Sequence, residues 1–374
     1  MNLALSDEQE LLREAARGTL ARLGTVAAAR EALDGGGAPD LWPVAVEAGW
    51  PGLLIAEERG GAGLGVFDAM LVAQECGRVL AGVPLLGLLP ATALLDAGGD
   101  ERLEALAAGE LRATWLPVRP PGDADADAGW TVERRRGAGR EPAPRATADG
   151  DGLRLTGAVP WVPDAPGADL FVAVGVDAGG APVAGVVEAA GATVEPIVRY
   201  DPTRALGHVT LDGPPAARLD IGPEQLARAW YVAQALVAAE AVGAVEATLE
   251  MAVAYAKERF TFGRAIGSYQ AIKHGLTEVL RLVENARSLL YYAGWAHAAR
   301  PAEFALAASA ARSAAGRALE FAARQNITTH GGIGATWEHD APLYFRRAQL
   351  TRRLIGGTAD ATDRVAGELL ATVS

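Results

Sequence analysis

The chain has 374 residues, of which 50% are hydrophobic, so it is long enough for two or three domains with sizeable buried cores. Its formal net charge of −12 repels polyanions, which argues against binding to nucleic acid or to an anionic membrane surface. The single cysteine, Cys76, excludes an internal disulfide, and neither a signal-peptide pattern nor an apolar stretch of membrane-spanning length is present. We therefore expect a soluble, cytoplasmic protein with no membrane span.

Residues 1–111 have the pattern of a helical N-terminal domain. Ser6 stands before Glu8 and Glu10, as at the start of a capped helix, and apolar residues then recur at helical spacing. The glycine-rich segment LIAEERGGAGLG permits a tight loop and precedes a second amphipathic helix over residues 66–80.

Residues 112–222 change to short alternating apolar runs separated by glycine and proline, which is typical of β-strands and turns. Within this β-domain, the span from Pro120 to Asp151 is polar, charged and rich in proline and glycine. Such a composition cannot fill a core, so we expect an exposed insertion there.

Residues 223–374 return to helical periodicity and predict a C-terminal helical bundle. The stretch from Trp230 to Val245 is apolar on nearly every face, which indicates a buried helix. A second long helix is expected from Gln270, a third over residues 303–328, and two shorter ones after His339. Helices, then strands, then helices make an α+β fold with domains at 1–111, 112–222 and 223–374.

The segment ERFTFG and the helix that follows it have the chemistry of an anion site. Arg259 can pair bidentately with a pyrophosphate, Thr261 can donate a hydroxyl, and Gly263 allows the backbone to approach a ligand. Gln270 stands where the next helix begins, and a helix N-terminus favours negative charge. The alternative for Arg259 is a surface ion pair with Glu258 or another neighbour.

Two strings near the C-terminus invite a ligand interpretation. In HGGIG, Gly331 and Gly332 allow the backbone to present N–H groups to a phosphate or ribose, although a helix C-cap is the alternative. His330 is interpreted as structural because no serine or cysteine nucleophile accompanies it. In WEHD, residues 337–340, two carboxylates and a histidine resemble metal ligands, but we expect no metal site.

Over essentially its whole length the chain resembles the acyl-CoA dehydrogenase family. The resemblance rests on four strings: GWPGLLIAEERGGAGLG, LTGAVPWVPDAPGADLFVAVG, YAKERFTFGRAIGSYQAIKHGLTEV and HGGIGATWEHDAPLYFRRA, the last similar to a bacterial branch. It implies a helical N-terminal domain, a central β-barrel-like domain and a C-terminal helical bundle. It also implies FAD as cofactor, with contacts from the residues Trp161, Val162, Arg259, Thr261, Phe262, Gly263, Gln270, Gly331 and Gly332.

The resemblance further implies a reaction and partners. The expected reaction is α,β-desaturation of an acyl thioester carried by coenzyme A or an acyl carrier protein, with electrons passing to an electron-transfer flavoprotein. In relatives the loop equivalent to HGGIG reaches a cofactor bound mainly by the neighbouring subunit. We therefore expect a homo-oligomer, or a hetero-oligomer with a related subunit.

The sequence departs from the family at the catalytic base, which must be a carboxylate that removes the α-proton. Many relatives place a glutamate where this chain has Gly356, and a second group places it where this chain has Ala233. Glu240 is the only charged residue between Trp230 and Val245, two helical turns beyond Ala233. It is a candidate base, and a structural or partner-facing role is the alternative.

Two further departures concern the flavin. Pro163 stands where many relatives have a threonine that hydrogen-bonds the flavin, and Thr328 where a glutamine is frequent. Three functions therefore stay open: a dehydrogenase or one subunit of it, a catalytically silent partner subunit, and an enzyme that uses the fold for a non-desaturating reaction on an acyl thioester.

Overall fold

The computed structural model describes residues 4–119, 131–132, 140–197 and 200–371. Its first part is helical, as predicted. Ser6 begins the first helix, because its hydroxyl accepts the N–H of Gln9 at 3.2 Å while the Gln9 side chain accepts the N–H of Ser6. The helices of this part are α1 (Asp7–Ala21), α2 (Thr25–Glu31), α3 (Trp42–Glu47), α4 (Val66–Arg78), α5 (Leu85–Ala97) and α6 (Leu103–Ala107).

The middle of the chain forms strands. They are β1 (Ala113–Trp115), β2 (Thr131–Val132), β3 (Arg140–Glu141), β4 (Arg145–Asp149), β5 (Gly152–Pro163), β6 (Leu170–Val176), β7 (Pro182–Glu188), β8 (Ala192–Pro196) and β9 (Leu206–Leu219). β4, β5, β9, β7 and β6 pair in that order, and β6 pairs back to β4, so the five strands close into a ring. Apolar side chains such as Phe171 and Val209 fill it. The predicted barrel-like domain is therefore confirmed.

One prediction in this region was wrong in part. The span from Pro120 to Asp151 was expected to be an exposed insertion, and residues 145–149 are mostly exposed, but they form β4, a strand of the barrel. Only Ala146 of β4 is buried, so the strand is held by backbone pairing with β5 and carries no apolar signal. Residues 120–130 and 133–139 of the predicted insertion lie outside the described residues.

The last part is a helical bundle. Its elements are α7 (Pro223–Glu258), a hairpin of β10 (Phe260–Thr261) and β11 (Arg264–Ala265), α8 (Gln270–Ala299), α9 (Pro301–His330), α10 (Ala341–Thr351) and α11 (Gly357–Ala371). α7 packs against α4, α5, α8 and α9, which explains why it is apolar on nearly every face. A Cβ on Gly243 of α7 would lie 1.8 Å from the carbonyl oxygen of Gln74. Glycine there allows α4 and α7 to cross closely.

One continuous apolar core joins the first and last parts, since buried residues of α4, α5, α7, α8 and α9 belong to the same cluster. The change from helix to strand lies between α6 and β1, and the return to helix lies between β9 and α7. The exact domain limits at residues 111 and 222 stay predictions. Among the described helices, none combines the length and the apolar character that crossing a membrane requires.

Candidate functional site

The hairpin after α7 presents an exposed aromatic side chain. Phe262 and Gly263, between β10 and β11, have φ angles of 46° and 76°, as a two-residue type I′ turn requires. Gly263 suits this turn, whereas Phe262 adopts a conformation that is uncommon for a residue with a side chain. Phe262 is 93% exposed. Together with Phe260, which is 63% exposed, it gives the hairpin an apolar surface.

Arg259 stands at the junction of α7 and the hairpin. Its N–H donates to the carbonyl oxygen of Tyr255 at 2.9 Å and ends the helix. The predicted alternative of an ion pair with Glu258 is not formed, and the exposed guanidinium has no ion pair with any described residue. It is therefore available to an anion. Thr261 is half-buried, and its carbonyl oxygen accepts the Tyr269 hydroxyl at 3.1 Å.

Gln270 is the first residue of α8 and is exposed, as predicted. The beginning of α8 packs closely on the end of α9, because a Cβ on Gly275 would lie 2.5 Å from the amide nitrogen of Gln325. The N-terminal end of α8 thus lies beside the segment that leads into HGGIG. The partial positive charge of this helix end adds to that of Arg259.

The HGGIG segment is anchored to α7 by stacked rings. His330, the last residue of α9, is buried, its ring lies 4.3 Å from that of Tyr255, and its Nδ1 is 2.8 Å from the carbonyl oxygen of Asn326. The structural interpretation of His330 fits these contacts. A Cβ on Gly331 or Gly332 would meet no atom within 4 Å, so both glycines face open space. The loop therefore lies near Arg259, one turn beyond Tyr255.

These contacts bring one group of predicted residues together at one end of the bundle. The group comprises Arg259, Thr261, Phe262, Gly263, Gln270, Gly331 and Gly332. An uncommitted guanidinium, a helix N-terminus and a glycine loop form a donor set that fits the pyrophosphate of a dinucleotide. Phe260, Ile333 and Trp337 are also exposed around it. The end of the bundle combines anion-binding groups with an apolar surface.

Trp161 and Val162 belong to another part of the fold, the barrel strand β5. The pairing of β5 with β9 is irregular between Val159 and Val162, and Trp161 there has a φ of 62°. The N–H of Trp161 donates to Nδ1 of His208 at 3.3 Å, and Pro163 has no N–H. The N–H of Trp161 is therefore engaged and Pro163 offers none, so neither of these two positions fits a flavin as a backbone donor.

Gly356, where many relatives carry the base, lies close to two neighbouring side chains. Gly356 has a φ of 74°, and a Cβ on it would lie 2.8 Å from Oδ2 of Asp360 and 2.9 Å from Cζ2 of Trp230. Arg119 lies 3.9 Å from Asp360, and Trp230 packs edge-on against Trp115 at 6.1 Å. The crevice lined by Arg119, Trp230 and Asp360 has no space for a water molecule. A glutamate at position 356 would require the side chains of Asp360 and Trp230 to shift.

Ala233 is fully buried in α7 and supplies no carboxylate, while Glu240 is buried and ion-paired. The Glu240 carboxylate accepts a hydrogen bond from Arg204 and lies 3.7 Å from Nη1 of Arg347. Arg347 in turn bonds Asp201 at 2.8 Å. The carboxylate therefore lies within the buried cluster that these arginines form between the barrel, α7 and α10. The geometry favours the structural alternative for Glu240, and its role as base stays a prediction.

Asp164 belongs to the same buried region and follows Pro163. Burial raises the pKa of Asp164 to about 6, although the nearby Arg204 and the N–H of Gly87, which donates at 2.9 Å, act in the opposite direction. Its φ is 61°, in the left-handed region that aspartate and asparagine tolerate. Asp164 thereby ties the barrel to the beginning of α5.

Sequence reasoning did not identify the groups that close the crevice or hold Glu240. Trp230 was interpreted only as part of an apolar helix, and Arg204 and Arg347 were not considered. The sequence did contain a signal for a buried ion pair: in DPTR, residues 201–204, an aspartate and an arginine stand next to an apolar strand. Buried charges in such a setting need partners, but only the fold shows that α7 and α10 supply them.

Comparison with known proteins agrees with this architecture. Residues 6–117 match the acyl-CoA dehydrogenase N-terminal domain, and residues 222–370 match the acyl-CoA dehydrogenase C-terminal domain. The acyl-CoA dehydrogenase IpdE2 of Mycolicibacterium smegmatis is 32% identical over 370 residues, which cover 98% of this chain and 100% of the relative.

Two solved structures are similar over nearly the whole chain. A variant of the Tcur3481–Tcur3483 steroid ACAD has a TM-score of 0.85 and 28% identity, with 98% of both chains covered. The ChsE4–ChsE5 complex of Mycobacterium tuberculosis has a TM-score of 0.85 and 25% identity, with 99% of both chains covered. Three findings agree: the order of helical domain, barrel and bundle, the two matched domains, and the relative that is similar over its whole length. The chain therefore belongs to the acyl-CoA dehydrogenase family, a family of flavin oxidoreductases.

Proposed function

We propose that this chain is one subunit of a heteromeric, FAD-dependent acyl-CoA dehydrogenase, and that the catalytic carboxylate comes from a related partner chain. The observation that carries the proposal is the contact between Trp230 and the position where a Cβ of residue 356 would stand. A subunit with its own working site needs space for a base and a thioester beside a flavin. In this chain the side chains of Trp230 and Asp360 lie against the point where a side chain of residue 356 would begin.

The other half of the proposal concerns FAD binding at the end of the bundle where Arg259 has no ion pair with a described residue. There Arg259 would pair with the FAD pyrophosphate, with Thr261 and Gln270 as further hydrogen-bonding groups and Phe262 as an apolar contact. Gly263, Gly331 and Gly332 would allow the backbone to approach the cofactor. FAD, when bound, supplies the acceptor for the hydride that leaves the acyl chain. Because relatives use this region for a cofactor held mainly by the neighbouring subunit, the proposal places the flavin across a subunit interface.

In this scheme Glu240 stabilises the subunit and does not act as the base. Its carboxylate neutralises Arg204 and lies close to Arg347, so it joins the barrel to α7 and α10. Flavin contact by Trp161 and Val162 stays a prediction. Because both residues lie in β5, they can contact only a flavin that is bound within this subunit. The amount of FAD that the isolated subunit retains therefore tests that contact.

The partner and substrate follow from the relatives. Two of the most similar solved structures are named for pairs of chains, which supports a heteromeric assembly. We infer an acyl-CoA or acyl-carrier-protein thioester as substrate, an electron-transfer flavoprotein as electron acceptor, and a cytoplasmic location. Because one structure is named a steroid ACAD, steroid-derived acyl-CoA thioesters are the first class to test, beside linear acyl-CoA thioesters.

The test compares the chain alone with the chain co-expressed with a family member that carries the C-terminal glutamate. Each sample is incubated with FAD and desalted, and its absorption near 450 nm is measured. It is then mixed anaerobically with steroid-derived and linear acyl-CoA thioesters. We expect the isolated chain to lose its colour on desalting and the co-purified complex to stay yellow and bleach with a substrate.

An isolated chain that keeps FAD and bleaches would contradict the proposal and support a self-sufficient dehydrogenase. An isolated colourless chain that transforms acyl thioesters would support the non-desaturating alternative. In both cases the reaction of a Glu240→Gln variant shows whether Glu240 takes part.

A further inference from the structure

The loop between α9 and α10 has a histidine at each end. His330 is the last residue of α9, and His339 stands two positions before Ala341, the first residue of α10. The centroids of the two imidazole rings lie 4.3 Å apart, and the ring planes are tilted by 52°. The contact between these two rings, which we call the histidine pair, therefore closes the loop of residues 331–338 at its base.

Within the loop, backbone hydrogen bonds join residues that are three positions apart. The N–H of Gly334 donates to the carbonyl oxygen of Gly331 at 3.0 Å, and the N–H of Thr336 donates to that of Ile333 at 3.0 Å. The N–H of His339 donates to the carbonyl oxygen of Thr336 at 3.3 Å. Such bonds have poorer geometry than those of an α-helix and seldom form long runs. The shape of the loop therefore depends on how its two ends are held.

Hydrogen bonds fix the protonation of one nitrogen in each ring. Nδ1 of His330 lies 2.8 Å from the carbonyl oxygen of Asn326, which can only accept, so this nitrogen carries a hydrogen. Nδ1 of His339 accepts the N–H of Ala341 at 3.1 Å, so this nitrogen carries none. The N–H of Ala341 is among the first of α10, which have no acceptor within the helix. His339 therefore caps α10 only while its Nδ1 is unprotonated.

The surroundings of His339 disfavour its protonated form. Its partial burial and the neighbouring His330 lower the pKa of His339, and Arg30 of α2 acts in the same direction. Asp340, which forms an ion pair with Arg30, raises this pKa but does not reverse the change. From α7, Tyr255 contacts the ring of His330 at 4.3 Å between centroids. A positive charge at this position would also lie at the N-terminal end of α10, where the helix dipole opposes it.

We propose that the histidine pair is an acid-sensitive closure of the loop at residues 331–338. When both rings are neutral, His339 caps α10 and the loop is closed. A proton added to His339 occupies Nδ1, breaks the hydrogen bond from Ala341 and places a positive charge beside His330 and Arg30. The closed loop therefore binds fewer protons than the open loop. Its stability is complete above about pH 7 and is lost as the pH falls below the ordinary histidine value of about 6.5.

The closure does not depend on the proposed flavin interface, because it is a property of the chain without FAD. Gly331 and Gly332 belong to both the loop and that interface, so an open loop would weaken FAD binding in the complex. The test contains no FAD and no partner chain. Its failure therefore leaves the proposed function intact, and failure of the proposed function leaves the closure intact.

The test measures hydrogen–deuterium exchange of the full-length chain by mass spectrometry from about pH 8 to about pH 5, with each rate corrected for the pH dependence of chemical exchange. We expect the corrected exchange of residues 331–339 to rise at least about threefold toward low pH, since one proton changes an opening equilibrium by up to about tenfold per pH unit. NMR signals of the imidazole rings report the titration of His339 under the same conditions. A constant corrected exchange, or a rise that does not follow this titration, would overturn the proposal.

Two variants test whether His339 causes the effect. His339→Asn keeps an acceptor for the N–H of Ala341 and cannot take up a proton. It loses the ring contact, so its exchange can be faster at every pH, but we expect the corrected rate to be independent of pH. The matched control is His274→Asn, which removes an exposed histidine of α8 and should exchange like the unmodified chain. An equal rise toward low pH in His339→Asn and in the unmodified chain would refute the proposal.

Discussion

The indole ring of Trp230 lies against Gly356, 2.9 Å from the point where a Cβ of residue 356 would be. We predict that Gly356→Ala lowers the free energy of unfolding by about 2 to 4 kcal/mol, because it combines a positive φ with overpacking. Trp230→Ala should cost about 3 to 5 kcal/mol because it leaves a cavity. In the double variant the alanine methyl group enters that cavity, so the total cost should be less than the sum. A double-mutant cycle by urea unfolding measures this coupling, and additive costs would show that the two residues do not compete for space.

Arg259 provides a test of the shared flavin site. In the co-purified complex, Arg259→Ala should weaken FAD binding about 10- to 100-fold, because it removes charge-assisted hydrogen bonds to a phosphate group. Equilibrium dialysis with absorption at 450 nm measures the affinity. Arg154→Ala serves as the control, since Arg154 is an exposed arginine on the barrel. Equal FAD affinity in the two variants would remove Arg259 from the site.

Glu240 should behave as part of an ion-paired cluster. We predict that Glu240→Leu lowers the free energy of unfolding by about 3 to 5 kcal/mol, because it leaves Arg204 buried without its carboxylate. The double variant Arg204→Met, Glu240→Leu should recover part of this loss, since the paired charges are removed together while the buried Asp164 loses its nearby guanidinium. Urea unfolding of the three proteins measures both effects.

The Glu240→Gln variant separates the structural role from catalysis. In the assembled enzyme it should be less stable, while the anaerobic rate of flavin reduction per folded complex stays close to that of the unmodified protein. Unchanged stability together with loss of flavin reduction would instead assign the base to Glu240. Flavin content, measured in the same samples, excludes loss of cofactor as the cause.

Asp164 should make stability depend on pH. Its pKa is raised in the folded protein to about 6, so the native state binds more protons than the unfolded state from about pH 4 to about pH 6. The stability that its protonated form contributes is complete below this window and is lost as the pH rises through it. Asp164→Asn keeps an acceptor for the N–H of Gly87 and cannot ionise. Relative to the unmodified chain, its free energy of unfolding should rise by about 1 to 3 kcal/mol between pH 4 and pH 7.

Urea midpoints measured across that range test the prediction, and Asp149→Asn, a change of an exposed carboxyl group on β4, is the control. A constant difference between Asp164→Asn and the unmodified chain would mean that Asp164 ionises alike in the folded and unfolded states.

Local sequence patterns predicted much of the fold. Ser6 gave the start of α1, the burial of α7 followed from its apolar faces, and Gln270 was placed at the start of α8. These features depend on residues within one or two turns of each other. β4 was missed because backbone pairing holds it and only one of its side chains, Ala146, is buried. The absence of a base at Gly356 was predicted, but its replacement by Trp230 was not, because 126 positions separate the two residues and only packing brings them together.

α7 extends from Pro223 to Glu258, and about 42 Å of helix rise separates Trp230 from its last residue. Trp230 closes the crevice near the first end, and Phe262 stands exposed just beyond the second. Distant substitutions with no shared contacts affect a protein almost independently. Mutations around Trp230 can therefore accumulate over evolutionary time without altering the surface around Phe262. A descendant of an active enzyme can lose catalytic activity in this way and still be retained as a component of an assembly.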